Sequence, residues 1–239
     1  MRDDNSLSDS YRAWRQSALG RIADELEWRL LLEIAGPVGG KRILDAGCGD
    51  GAFAAAISSR DGLVVAADNN LGMIEAARVT SMSIGRQFAV VGADARSLPF
   101  ANGAFDLIFA STLLCLAEDR RRTLLELARV LAGGGKLIVG DLGRWSLWNL
   151  QRRIKGRFGH RTWRRAHFFT AKELRAELAS AGLVPGEVRG SVYFPPIASL
   201  ARRMARFDDW AGRRFTFGAS FLALAATKDR PIQPADDRR

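Results

Sequence analysis

Cysteine and histidine are nearly absent from this chain, with two of each among 239 residues. Cys48 and Cys115 offer neither a disulfide framework nor a metal-ligand cluster, so no metal is expected, and two thiols suit a reducing compartment. His160 and His167 leave few side chains that titrate near neutrality. Long apolar runs are lacking too: the longest, Phe215 to Thr227, is too short and too interrupted to cross a bilayer. The opening residues, Met1 to Ser6, carry no apolar leader, and a cytoplasmic location is expected. Internal repeats and low-complexity tracts do not occur. Acids are missing in one place, for residues 144–165 hold eight Lys/Arg and no Asp or Glu, interleaved with Trp145, Trp148 and Trp163. With a net charge of +10, an anionic partner is expected, whether membrane surface, nucleic acid or acidic substrate.

What is present is concentrated in Ile43-Leu-Asp-Ala-Gly-Cys-Gly-Asp-Gly51. A short apolar strand ends in an acid and runs into three alternating glycines, a sequence that turns tightly and lets a ligand lie against backbone. Two chemistries fit. As G-x-G-x-x-G/A, Gly47, Gly49 and Ala52 match the dinucleotide fingerprint. As D-x-G-x-G-x-G, the stretch adds Asp45, misplaced beside a pyrophosphate but suited to the cationic amino-acid end of S-adenosylmethionine. The acid favours the second. A strand over residues 63–67 then ends at Asp68, whose carboxylate can accept two ribose hydroxyls. A third strand, 87–92, precedes Asp94, placed to accept the adenine amino group.

These residues resemble the class I S-adenosylmethionine-dependent methyltransferases, the small-molecule branch that includes the ubiquinone/menaquinone type. The resemblance rests on 43–51, Asp68-Asn69, Asp94-Ala95 with Leu98-Pro99-Phe100, Phe105 to Ile108, and Val130 to Leu137, covering about residues 40–140. It implies that Asp45, Gly47, Cys48, Gly49 and Gly51 hold the methionine portion, Asp68 and Asn69 the ribose, and Asp94 and Ala95 the adenine. Ser111, at the end of strand four, joins this cofactor set. The family's Leu-His pattern after strand four is replaced by Ser111-Thr-Leu-Leu-Cys115, so no role passes to a histidine there.

The fold class expected is α/β: a Rossmann-like, seven-stranded, mostly parallel sheet with an antiparallel last strand, helices on both faces and a helical cap. One domain is expected, with an N-terminal helical segment (1–36), a cofactor half (37–141), an acceptor half (142–228) and a tail (229–239); residues 1–10 also read as a tail. Helices are expected over 17–35, with Ile22, Leu26, Leu30 and Ile34 in register, over about 51–59, and from the Thr170 capping box to Ala181. Gly133-Gly134-Gly135 reads as a turn into strand five. Strands six and seven are placed at 186–194 and 215–227, with a helix between them implied by the resemblance.

Methyl transfer from a sulfonium is an in-line displacement for which positioning and desolvation suffice when the acceptor is nucleophilic. If a base is needed, Asp141 at the end of strand five and His167 are the catalytic candidates, with Asp141 equally suited to capping the next helix; His160 and Tyr193 follow. In 144–158, Leu147, Leu150, Ile154 and Phe158 define one apolar helix face. A lid packed on its own active site is favoured slightly over a helix resting at an anionic membrane, which would put the protein at a membrane's inner face. The acceptor expected is a small, lipophilic molecule such as a quinone precursor or lipid. Nucleic acid is disfavoured, since Ala110 to Leu113 lacks the Asn/Asp-Pro-Pro-aromatic tetrapeptide and Cys115 lacks a preceding proline. An RNA methyltransferase and a non-catalytic nucleotide-binding regulator remain the alternatives.

Overall fold

Residues 13–85 and 87–229 are described by a computed structural model. The readings for residues 1–10 and 230–239 fall outside that range. Five parallel strands run β1 (Arg42–Ala46), β2 (Leu63–Asp68), β3 (Ala89–Gly92), β4 (Phe105–Ser111) and β5 (Leu131–Leu142). β6 (Val184–Pro185) and β7 (Arg189–Ser191) both pair antiparallel with β8 (Phe221–Thr227), which is itself antiparallel to β5. The sheet order is β3-β2-β1-β4-β5-β8-β6. Eight strands thus stand where seven were expected, because the sixth breaks into two short pieces around residues 186–188. The last strand starts at Phe221 rather than Phe215.

Side chains alternate between two cores, as a period of two requires. Ile43, Leu107 and Phe109 pack with Leu30 and Leu31 of α1 (Ala18–Ala35), Phe53 and Ile57 of α2 (Ala52–Ser58) and Ala77 of α3 (Leu71–Met82). Leu44, Ile108 and Leu137 pack on the other face with Leu124 and Leu127 of α4 (Arg120–Val130) and Leu174 and Leu178 of α7 (Ala171–Ser180). Covering both faces is what makes the central strands continuously apolar.

Local signals account for the helix ends. Ser17 caps α1 by accepting the Gly20 N–H at 3.0 Å, a contact worth about 1 kcal/mol. Thr170 and Glu173 close the expected capping box on α7. The glycine triplet departs from expectation: Leu131 pairs with Phe105 and Lys136 with Leu107, so residues 132–135 bulge out within β5 instead of preceding it.

Beyond β5 lie α5 (Leu147–Arg157), α6 (Arg161–Arg165) and α8 (Ala198–Gly212). Trp148 of α5, Val192, Phe194 and Ala201 of α8 form a third cluster with Ala23 and Leu26 of α1. In this arrangement α1 bridges the sheet and the helices beyond β5. The stripe of α5 points the opposite way from the lid expectation. Leu147, Leu150, Ile154 and Phe158 are 63%, 46%, 46% and 88% exposed, whereas Trp148, Asn149 and Gly156 pack inward. At 100° per residue the four exposed side chains span an arc of about 80°, facing away from the buried side.

Candidate functional site

β1 is followed by β2 and β3 on one side and joined by β4 on the other, so the order reverses between β1 and β4. Ligands of open α/β sheets lie outside the strand ends at such a point. The glycine loop is there. Gly47 and Cys48 donate their N–H groups to Ala67 O at 2.8 and 3.0 Å. Gly47, Gly49 and Gly51 all have positive φ, between 55° and 76°, a region that side chains other than glycine's resist. A Cβ on Gly49 would meet nothing within 4 Å, so this turn borders open space.

Asp45 lies beneath the loop, almost fully buried, and its Oδ2 has no hydrogen-bond partner. Burial, with help from Asp68 and Asp50, pushes its carboxyl up to about 7. An orphaned buried acid is costly unless a cationic donor reaches it. Asp68 is already occupied: Oδ2 accepts the Gly49 N–H and Oδ1 the Asn70 N–H, each at 2.9 Å. Its first task is to brace the glycine loop, and each oxygen keeps a second lone pair for a ligand hydroxyl. Asn69 is exposed beside it. Asp94 is gripped by Arg96, with Nε on Oδ1 at 3.0 Å and Nη2 on Oδ2 at 2.7 Å, and the side-chain hydrogen bonds lower its pKa. Ala95 follows in a bridged turn. Ser111 ends β4, and Thr112 beyond it holds a positive φ of 50°. Strain of that kind clusters at functional loops.

The proposed catalytic residues are not gathered at this loop. Asp141 is fully buried, and its carboxylate accepts the Cys115 N–H at 3.1–3.2 Å and its own neighbour's, Leu142, at 3.1 Å. It ties the loop after β4 to β5. It does not cap the next helix either, since Ser146 caps α5. This correction has a simple cause, for the strand's alternation turns residue 141 toward the face it shares with Leu137 and Val139, against the loop that carries Cys115. Burial pushes its carboxyl up to about 7. His167 sets its ring against Phe169 at 4.5 Å and lines a basic cleft, and partial burial lowers its pKa. His160 is exposed and stacks on Trp163. The Tyr193 hydroxyl donates to Phe215 O.

Sequence reasoning missed the polar strap over the loop. Arg15 pairs with Asp24 of α1 at 2.6 Å and with Asp50 of the glycine loop at 2.5 Å, while its guanidinium lies 5.1 Å from the centre of the Trp28 ring. Glu27, one turn from Asp24, is pushed up to about 8 by burial and then by Asp24, with Arg152 of α5 opposing. The second acid of Gly49-Asp50-Gly51 was the one available signal; its partner 35 residues away was not legible.

A family model described as a methyltransferase domain matches residues 44–139. An uncharacterized protein of Mycobacterium tuberculosis is 30% identical over 232 residues, which cover 95% of this chain and 74% of the relative. The chain belongs to the methyltransferase family. A demethylmenaquinone methyltransferase of Clavibacter sepedonicus is 36% identical to it over 126 residues, 52% of this chain and 51% of that one. A crystal structure of a SAM-dependent methyltransferase from Thermotoga maritima superposes on the methyltransferase with a TM-score of 0.69 at 22% identity, covering 92% and 96% of the two chains. The methyltransferase is therefore an enzyme of Rossmann-like fold whose methyl donor is S-adenosylmethionine. The orphaned Asp45 carboxylate and the open face of Gly49 fit the donor's cationic amino-acid end.

A pH dependence follows. Unfolded, Asp45 and Asp141 ionise near pH 4; folded, they keep their protons up to about 7. Between those values the unfolded state binds fewer protons, so the stability of the ligand-free methyltransferase falls as pH rises through this window. If Asp45 receives the donor's amino group it must first lose its proton, and cofactor affinity is then expected to rise across pH 6 to 8. Thermal unfolding and calorimetry over that range check both trends. A cofactor affinity that drops with rising pH would contradict the role of Asp45.

Proposed function

We propose that the methyltransferase carries the sulfonium methyl group to a small, lipophilic acceptor, of the class of a quinone precursor or lipid. The observation that carries the acceptor class is the outward apolar stripe of α5, immediately after β5, with cations beside it and no acids. The Clavibacter relative's name, a demethylmenaquinone methyltransferase, agrees with that class. S-adenosylmethionine supplies an electrophilic methyl group already activated by the sulfonium charge. In this reading Asp45 receives its amino group, and the backbone of Gly47, Cys48, Gly49 and Gly51 carries its methionine chain. Asp68, with Asn69, receives the ribose hydroxyls. Asp94, freed from one contact with Arg96, and Ala95 receive the adenine, with Ser111 closing the pocket at β4. The protein's remaining work is to hold the acceptor in line and keep water out.

Residues 144–165 serve this reading as a peripheral contact with an anionic membrane, where a lipophilic acceptor partitions. Cations beside an anionic leaflet contribute about 1 kcal/mol each, and no helix among the described residues is long and apolar enough to cross a membrane. Labelled S-adenosylmethionine incubated with the protein and a fractionated cell extract tests the acceptor. Label is expected in the organic phase; label confined to RNA or to polar metabolites would overturn the lipophilic class. Asp68→Asn should weaken cofactor binding by about 1.5 kcal/mol, because a charge-assisted bond that also braces Gly49 becomes neutral. Calorimetry reads that change.

A further inference from the structure

Between α5, α6 and the residues leading into α7, an open cleft of about 570 Å³ is lined by Arg144, Arg153, Arg157, Trp163, Arg164 and His167. No carboxylate lines it, and the sequence holds no acid between Asp141 and Glu173. Arg144 is committed to Phe168 O and Glu173. Arg153, Arg157 and Arg164 are different: the guanidinium of none forms an ion pair or hydrogen bond with a described residue, and Arg153 is half-buried nonetheless.

The backbone keeps these cations together. Arg153 and Arg157 are four apart on α5, so they share one row of the helix, where like charges repel. Gly156 lets α6 approach closely, since a Cβ there would lie 2.8 Å from the Trp163 backbone. That contact holds Arg164 against the same cleft. The inner side of α5 is fixed: Asn149 Nδ2 donates to Gly143 O and Ser220 O at 2.7 and 2.8 Å, and its Oδ1 accepts Arg152 Nη1 at 2.8 Å. Arg152 in turn lies 4.9 Å from the Trp163 ring centre.

We propose that this cleft is a binding site for a phosphate group. Guanidinium forks match phosphate oxygens in pairs, and a bridging dianion or diester relieves the repulsion that the fold enforces. The phosphate can belong to a lipid headgroup, whose chains would then follow the neighbouring Leu150–Ile154 row, or to a soluble ester. The inference stands apart from the identity of the methyl acceptor.

The test follows Trp fluorescence while inorganic phosphate and glycerol 3-phosphate are titrated in, with Trp163→Phe assigning the signal. Sedimentation with phosphatidylglycerol and with phosphatidylcholine vesicles forms the second arm. Arg153→Gln/Arg157→Gln/Arg164→Gln should lose about tenfold or more in affinity, as removal of charge-assisted bonds predicts. Arg202→Gln/Arg203→Gln/Arg206→Gln, the same charge change on the exposed side of α8, should stay close to wild type. Binding of the soluble esters alone supports the site with a soluble source; binding of phosphatidylglycerol vesicles lost only in the cleft variant supports it with a lipid source. If neither probe binds, or both triple variants lose binding equally, the cleft is no phosphate site. Vesicle binding unaffected by the cleft variant would overturn the site while leaving the membrane contact in place.

Discussion

Asp45→Asn is expected to weaken S-adenosylmethionine binding by about 2–3 kcal/mol, roughly 30- to 150-fold, the range for a hydrogen bond to a charged group at a buried site. The carboxylate is the only one of the cofactor acids with an oxygen left without a partner, since Asp68 and Asp94 are held by backbone and by Arg96. A second effect should run the other way. Asp45 ionises unfavourably in the ligand-free protein because it is buried beside Asp68 and Asp50. Above pH about 7, Asp45→Asn should therefore raise the unfolding midpoint of the ligand-free protein while lowering its cofactor affinity. A residue retained for packing alone would not separate the two readouts. Calorimetry at pH 8 gives the affinity and thermal melts give the stability; unchanged affinity would remove Asp45 from the site.

Asp208→Ala should cost about 3–5 kcal/mol of stability, a large share of the 5–15 kcal/mol that holds a typical domain together. Asp208 is buried on α8 and accepts three bonds, from Ser191 Oγ at 2.6 Å, Val192 N at 3.1 Å and Tyr193 N at 3.0 Å. Val192 has a φ of 62°, an uncommon conformation for a β-branched residue, which persists only where its surroundings fix it. Removing the carboxylate strands two backbone donors and leaves that strained conformation without its support. Phe194 follows directly, and its carbonyl accepts Trp148 Nε1 at 2.7 Å, so the damage should reach α5 and α1 through the third cluster. Urea unfolding measures the loss. A change below about 1 kcal/mol would mean that water replaces the carboxylate at little cost.

The glycine loop and the strands beside it were legible because their signals are local. Asp45 and the glycines lie within seven residues of one another, and the strands that carry Asp68 and Asp94 are bounded by their own turn residues. The mostly parallel sheet also followed, since alternating strands and helices leave few topologies open. What escaped depended on partners distant in sequence. The strap from Arg15 to Asp50 and Asp208 clamping residues 191–193 both join segments that composition cannot pair. Asp141 shows another limit: position at a strand's end says where an acid lies along the sheet but not which face it meets. In α5 the period was right and the direction was not. Four apolar residues at helical spacing read slightly in favour of an inward face over one turned to a membrane, yet Trp148 and Asn149 face inward because they have hydrogen-bond partners waiting in Phe194 O, Gly143 O and Ser220 O.

The most direct test of the account is a crystal structure with S-adenosylhomocysteine bound. The account predicts the ligand's amino group within hydrogen-bond reach, roughly 3 Å, of Asp45 Oδ2, its ribose hydroxyls on Asp68 and its methionine chain along Gly47 to Gly51. A ligand whose amino group lies elsewhere, with Asp45 still unpartnered beneath the loop, would contradict it.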